Sequence, residues 1–349
     1  MNGATAGLPL LGAGIAALAV VLLIPLLSPF ALRAGLVDTP GGRKQHVGDI
    51  PLVGGVAIFT GYIFALLFIG VDIWQGGLLG VWLALIVLGL WDDTGHLGVP
   101  VRVAVQVTAI VLLCHFSGIR LEHVGRLTGG EPVMLGWLAL PLTILGLIGI
   151  KNGINLIDGL DGLAGTQVLV VLFWFIALGL QHDSWTVVAL SVPLAGAVLG
   201  FLVFNARLPN RPGRVFLGDH GSVLLGFTLG WFAVVGSQAA EAPAFTPMEA
   251  VWVLGLIVLD TIRVMLSRMV RRTSPFTPGR DHFHHLLLDL GLPVNAVVAT
   301  LAVMSFLMGG LVWLGRRAGL EDVALLSLFL ALSAGFFLLG QYLQARRPA

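Results

Sequence analysis

The stretch "LPLLGAGIAALAVVLLIPLLSPF", residues 8–30, carries no charged side chain. A hydrocarbon core of roughly 30 Å needs about 20 apolar residues to cross as a helix. Applied along the chain, that ruler gives eleven segments: 8–30, 52–71, 77–91, 101–118, 136–153, 162–180, 185–205, 221–238, 247–268, 295–315 and 323–343. The 349 residues are 57% hydrophobic and only 11% charged, and mean hydropathy is +0.97. A soluble globular chain carries about 25% charged residues. The composition predicts an all-α integral membrane protein, and it excludes a nucleic-acid-binding class, since no basic tail or polar domain is present. The whole of 1–349 reads as one polytopic domain.

The first segment is not expected to be a cleaved signal, because no basic stretch precedes it and no small-residue cleavage site follows it. Cys114, the single cysteine, falls within an apolar run, so no disulfide framework is expected. Eleven crossings put the termini on opposite sides. With the N-terminus outside, the inner loops and span ends carry Arg33, Arg43, Lys44, Arg102, Lys151, Arg207, Arg211, Arg214, Arg263, Arg268, Arg271, Arg272, Arg280, Arg346 and Arg347. The outer side keeps Arg120, Arg126, Arg316 and Arg317. That bias predicts N-out, C-in. One outer segment, 119–135 ("IRLEHVGRLTGGEPVML"), alternates enough to predict a small β-hairpin.

The same orientation gathers most of the polar chemistry on the cytoplasmic face. In "GLWDDTGHLG" (89–98), Asp92 and Asp93 end a span, where the helix dipole already disfavours negative charge. Such a pair asks for a divalent metal or a basic partner; otherwise it is two solvated loop acids. Arg102, opening the next span, either holds a phosphate or simply obeys the positive-inside rule.

In "KNGINLIDGLDGLAG" (151–165), Asn152, Asn155, Asp158 and Asp161 recur every three residues, drifting about 60° per step around a helix. Their hard oxygens suit Mg2+. The bland alternative, a helix cap and turn, needs one such residue rather than four. In "RVFLGDHGSVLLGF" (214–227), glycines and Ser222 at a helix start form an anion site, but Asp219 would repel a phosphate unless a cation bridges them.

"SPFTPGRDHFHHLLLDLGL" (274–292) places His282, His284 and His285 at roughly 0°, 200° and 300° on a helix, so they cannot share one face. With Arg280 they suit a diphosphate better than zinc, for which no cysteine is near; an interfacial helix with incidental histidines is the alternative. "VDTPGGRKQHVGDIPLVGG" (37–55) offers Arg43, Lys44 and His46 to a phosphate or to anionic lipid. Asp260 lies inside a span with Arg263 one turn on, either a functional intramembrane acid or an intrahelical pair.

Taken in order, "GLWDD", "NGINLIDGLDGLAG", "FLGDHGS" and "SPFTPGRDHFHH" resemble the polyprenyl-phosphate N-acetylhexosamine-1-phosphate transferases of the WecA/TagO type, relatives of MraY. The resemblance runs from about Asp38 to Leu292. It implies an eleven-span fold in the bacterial cytoplasmic membrane with a cleft facing the cytoplasm. The implied reaction moves N-acetylglucosamine-1-phosphate from UDP-N-acetylglucosamine to polyprenyl (undecaprenyl) phosphate, releasing UMP. Mg2+ is the implied cofactor, with Mn2+ as its substitute.

Carried over by motif, Asp92, Asp93, Asp158 and Asp161 are the expected catalytic acids, and Asp219 with Asn155 the metal ligands. Asp38, Lys44, His46, Arg102, Asn152, Arg280, His282, His284 and His285 are expected to bind substrate. His220 departs from the pattern, since relatives often carry a small residue there. The partners implied are a UDP-sugar, a polyprenyl phosphate and the bilayer, with a homodimer admitted and no nucleic acid. Alternatives are the same chemistry on UDP-N-acetylgalactosamine or UDP-MurNAc-pentapeptide, and a nucleotide-sugar or ion transporter. A transporter would place its key polar groups near the bilayer midplane rather than along one face.

Overall fold

The computed structural model describes residues 7–40, 48–71, 77–93, 95, 98–207, 211–239, 243–274 and 279–346. Its helices are α1 (Leu8–Ala34), α2 (Gly54–Phe68), α3 (Leu78–Asp93), α4 (Val99–Ser117), α5 (Ala139–Ile157), α6 (Leu163–Gln181) and α7 (Trp185–Asn205). The series continues with α8 (Gly218–Gln238), α9 (Pro247–Val253), α10 (Gly255–Val270), α11 (Phe283–Asp289), α12 (Val294–Arg317) and α13 (Asp322–Ala345).

Among the described residues, eight helices are long and apolar enough to cross a membrane, counting a 3-10 turn, Gly136–Leu138, that opens α5. The bent pair α9–α10, taken as one broken span, would make a ninth. This is a multi-pass helical membrane protein. Helices α2 and α3 also occupy expected segments but have 15 and 16 residues. At 1.5 Å per residue they are roughly 22–24 Å long, short of a full hydrocarbon core.

Local chemistry sets the ends. Pro9 opens α1, and Gly35 closes it at φ +72° with its N–H on the Ala31 carbonyl, a left-handed cap that favours glycine. A capping box between Thr246 and Glu249 starts α9. The axis then turns by 74° at Leu254, so the expected single span 247–268 is two helices.

The centre of the bundle is α8, nearly all of it buried, with α3, α5 and α7 among the helices packed around it. In lipid, helix association depends on close packing rather than on escape from water. Small residues supply it here: a Cβ on Gly226 would lie 2.6 Å from Lys151 Cα of α5, and one on Gly200 of α7 2.6 Å from the Ala17 carbonyl of α1. Leucines such as Leu10, Leu22 and Leu26 on the outward face of α1 are exposed, as lipid-facing residues must be.

The expected hairpin at 119–135 reduces to a fold-back with one antiparallel bridge, His123 to Met134. Its arms are joined by backbone bonds from the Val124, Val133 and Leu135 N–H groups to the Val133, Gly125 and Glu122 carbonyls, and side chains tie it to the bundle: Gln238 bonds the backbone of Glu122 and His123, and Thr143 that of Leu121. A cavity of about 800 Å³ opens there, at the C-terminal end of α8.

A small sheet that the spacing did not predict lies at the other end of α8. Strands β1 (Val37–Asp38) and β2 (Ile50–Pro51) pair antiparallel, with Val37 opposite Pro51 and Asp38 opposite Ile50. Leu52 then bridges in parallel to Phe216, and the N–H groups of Gly54 and Gly55 donate to the Phe216 and Leu217 carbonyls. The segment entering α2 is thereby sewn to the segment entering α8.

Candidate active site at the N-terminal end of α8

Four separated stretches meet around the first turn of α8. Asp93, at the end of α3, accepts the Asp219 backbone N–H at 2.8 Å through Oδ1. Its Oδ2 lies 2.5 Å from His220 Nδ1. An imidazole beside a carboxylate donates from the near nitrogen, so the proton sits on Nδ1. Asp92 turns the other way and pairs with Arg102 of α4. The adjacent acids therefore do different work: one is tied to α8, the other to a cation.

From α5, Asn155 donates through Nδ2 to Asp219 Oδ1 at 3.0 Å and to Ser222 Oγ at 2.8 Å. Its carbonyl oxygen is the atom left for a cation. One turn later Asp158 caps α5, its N–H on the Ile154 carbonyl. Burial pushes the Asp158 carboxyl up to about 7, and the neighbouring negative charges of Asp219, Asp93 and Asp161 add to the effect. Four acids within electrostatic reach repel one another unless a cation or protons intervene.

Among the described residues, no group of three or more His, Cys, Asp or Glu side chains is arranged to hold a metal by itself. Mg2+ is commonly held by one or two carboxylates with substrate phosphates and water completing the shell. Asp219 with the Asn155 carbonyl fits that pattern, and zinc fits less well.

Asp161 has a structural task. Its Oδ2 accepts from Arg207 Nε and from the Gly213 N–H, both at 3.1 Å, folding the loop after α7 back against it. Asn205, which the sequence patterns did not single out, is buried and bonds both the Gly162 N–H and the Val215 carbonyl at 2.9 Å. Lys151, read from sequence only as a positive-inside residue, reaches Gln106 at 3.3 Å and lies within electrostatic range of Arg102, Asp92 and Asp219. Its partners come from other helices, so spacing along α5 does not reveal them.

The histidine loop borders this site from one side. Its approach is at Gly159, next to Asp158, where an added Cβ would lie 3.1 Å from His284 Nε2. His282 and His284 are both buried, whereas His285 is half-buried. His282 Nδ1 lies 2.8 Å from Asp260, which also accepts the Phe283 N–H at 3.0 Å and Arg263 at 2.9 Å. Asp260 therefore forms the intrahelical pair with Arg263 and also anchors the histidine loop.

Burial pushes His284 down to about 3, with the neighbouring His285 adding to the effect, so its ring is neutral. A space of about 10 Å³ beside it, bordered by Gln167 and Asp260, is room for about one water. Arg280 pairs with Asp289 on the exposed side of the loop. Asn152 is exposed on α5, apart from the Asn155 contacts. Asp38 sits in β1, and Lys44 and His46 lie outside the described residues.

Comparison with known proteins accords with this constellation. The model of glycosyl transferase family 4 matches residues 75–237, the stretch from just before α3 to the end of α8. The undecaprenyl-phosphate alpha-N-acetylglucosaminyl 1-phosphate transferase of Escherichia coli (strain K12) is 30% identical over 313 residues, covering 89% of this chain and 84% of that protein. The protein of the same name from Yersinia pestis is 30% identical over 305 residues, 86% of this chain and 82% of its own length. On that extent of similarity, the chain belongs to glycosyl transferase family 4, among the polyprenyl-phosphate N-acetylhexosamine-1-phosphate transferases whose motifs it carries.

Proposed function

We propose that this protein transfers N-acetylglucosamine-1-phosphate from UDP-N-acetylglucosamine to undecaprenyl phosphate at the cytoplasmic face of a bacterial inner membrane. The observation that carries this reading is the junction of Asp93, Asn155, Asp158 and Asp219 at one end of a membrane-embedded helix. A lipid phosphate keeps its tail in the bilayer and its head at the interface, while a nucleotide sugar is water-soluble. Only a site at that boundary serves both. The positive-inside bias of the sequence supports the N-out, C-in orientation, with α2, α3 and the bent α9–α10 unit counted among eleven crossings.

In the reaction, an oxygen of the lipid phosphate attacks the β-phosphorus of the donor. The bond from that phosphorus to the bridging oxygen breaks, and UMP leaves with the electron pair. Two anions are brought together, so charge compensation is the main catalytic demand. Asp219 and the Asn155 carbonyl would hold Mg2+, or Mn2+ in its place, which offsets the diphosphate charge. Arg102 and Lys151 add cationic groups on the side of Asp92. Asp158 borders the donor and takes up or gives back a proton near neutral pH, consistent with its value of about 7. A phosphate monoester has its second pKa near 6, so direct attack needs little help in deprotonating the acceptor.

The test uses membranes containing the protein, donor labelled in the sugar, undecaprenyl phosphate and Mg2+. Labelled lipid should form, should cease with EDTA, and should fall at least about 100-fold in Asp219→Ala, as when a direct electrostatic group is removed. Full activity in Asp219→Ala would refute the reading.

A further inference from the structure

The first turn of α8 holds a device that the reaction scheme above does not use. His220 is wholly buried, 0% exposed, at the crossing of three elements. Three glycines make its room. A Cβ on Gly55 would stand 2.6 Å from His220 Cδ2, one on Gly89 2.6 Å from His220 Cβ, and one on Gly218 2.5 Å from His220 Cε1. Gly218 also has φ +76°, so the backbone turns left-handed one residue before Asp219. A ring enclosed this closely has one orientation. Nδ1 faces Asp93 at 2.5 Å, and Nε2 is buried without a partner among the described residues. The Asp93 carboxylate is engaged at both oxygens by the same turn, Oδ1 by the Asp219 N–H and Oδ2 by the imidazole.

We infer that His220 is a positioning residue for the cation site: it clamps Asp93 to the α8 turn and so fixes the direction in which the Asp219 carboxylate points. Asp93 on this account is the other half of the clamp, while its neighbour Asp92 is engaged by Arg102. The unpaired Nε2 supports it. Burying an unsatisfied polar atom is unfavourable, and a hydrophobic residue would fill the same space without that cost; what the imidazole adds is the bond to Asp93. Asp219 is then held from two sides, its carboxylate by Asn155 of α5 and its backbone N–H by Asp93 of α3.

This inference rests on the proposed role of Asp219 in holding Mg2+, and its test is separable from turnover. Mn2+ binding to the purified full-length protein in detergent, with UDP-N-acetylglucosamine present and no lipid acceptor, is followed by the electron paramagnetic resonance signal of free Mn2+. His220→Ala should weaken binding about tenfold, the lower end of what outer-shell partners contribute, and kcat should fall with little change in the KM for the lipid. His220→Asn, whose amide N–H can reach Asp93, should recover most of both.

Thermal unfolding of the three proteins identifies a variant that fails by misfolding. A lowered Tm with Mn2+ affinity within twofold of wild type would overturn the inference, and so would a His220→Asn protein as impaired as His220→Ala. Wild-type protein that binds no Mn2+ would also overturn it. Mn2+ binding that depends on His220 in a protein that makes no lipid product would uphold the clamp and refute the transferase reading.

Discussion

Asp158 shows how a single residue in this site answers to its surroundings. Its carboxyl is raised to about 7 by burial and by the charges of Asp219, Asp93 and Asp161. In the unfolded chain an aspartate titrates near 3.9. Between about pH 4 and pH 7 the folded protein therefore binds a proton that the unfolded chain has released, so stability falls as pH rises through that window and stays lower above it. Asp158→Asn, which cannot ionise, should raise Tm by several degrees at pH 8 without divalent metal and leave it nearly unchanged at pH 4. Thermal unfolding in detergent at the two pH values measures this; an equal effect at both would contradict the assignment. The acids themselves were legible in the sequence because each motif is contiguous. Their individual tasks were not. Asp161 ties down Gly213 and Asp93 meets His220, and such partners are set by helices far apart in the chain.

At the scale of elements, apolar runs of helical length located every long helix, since a membrane-spanning run stands out by length alone. The break at Leu254 did not show, because the proline of this stretch, Pro247, opens the first helix instead of interrupting the run, and bending depends on packing against other helices. The β1–β2 ladder was hidden because two-residue strands leave no alternation to read. Close approach of α3 to α8 depends on Gly89. A Cβ there would press on His220 side chain and backbone, so Gly89→Ala should destabilise by about 1–3 kcal/mol through overpacking and reduce turnover by at least about tenfold. Gly80, on the same helix, has open space around it. Gly80→Ala should be neutral or stabilising by up to about 1 kcal/mol. Equal behaviour of the two variants in thermal unfolding and activity would mean that α3 is not anchored through this contact.

For the whole molecule, the four sequence motifs gather toward the N-terminal end of α8, while the Gln238 end carries the 119–135 fold-back, the cavity and the Arg316–Asp322 ion pair that lines it. Once the eleven expected spans were laid out, sorting the motifs between the two faces already put all four on one of them, although their convergence on one point was not legible. In a Cys114→Ala background, cysteine introduced at Thr273 should react with an impermeant maleimide only after cells are opened. Cysteine at Gly130 should react in cells with a permeable outer envelope but intact inner membrane. The reverse pattern would invert the proposed orientation.

The reaction itself is tested most directly by nucleotide accounting with purified protein, donor labelled in the uridine, undecaprenyl phosphate and Mg2+. UMP should appear in a one-to-one ratio with lipid-linked sugar, both ceasing in Asp219→Ala. Release of UDP in place of UMP would mean that the sugar moves without its phosphate, which would contradict a site built to bring two phosphates together.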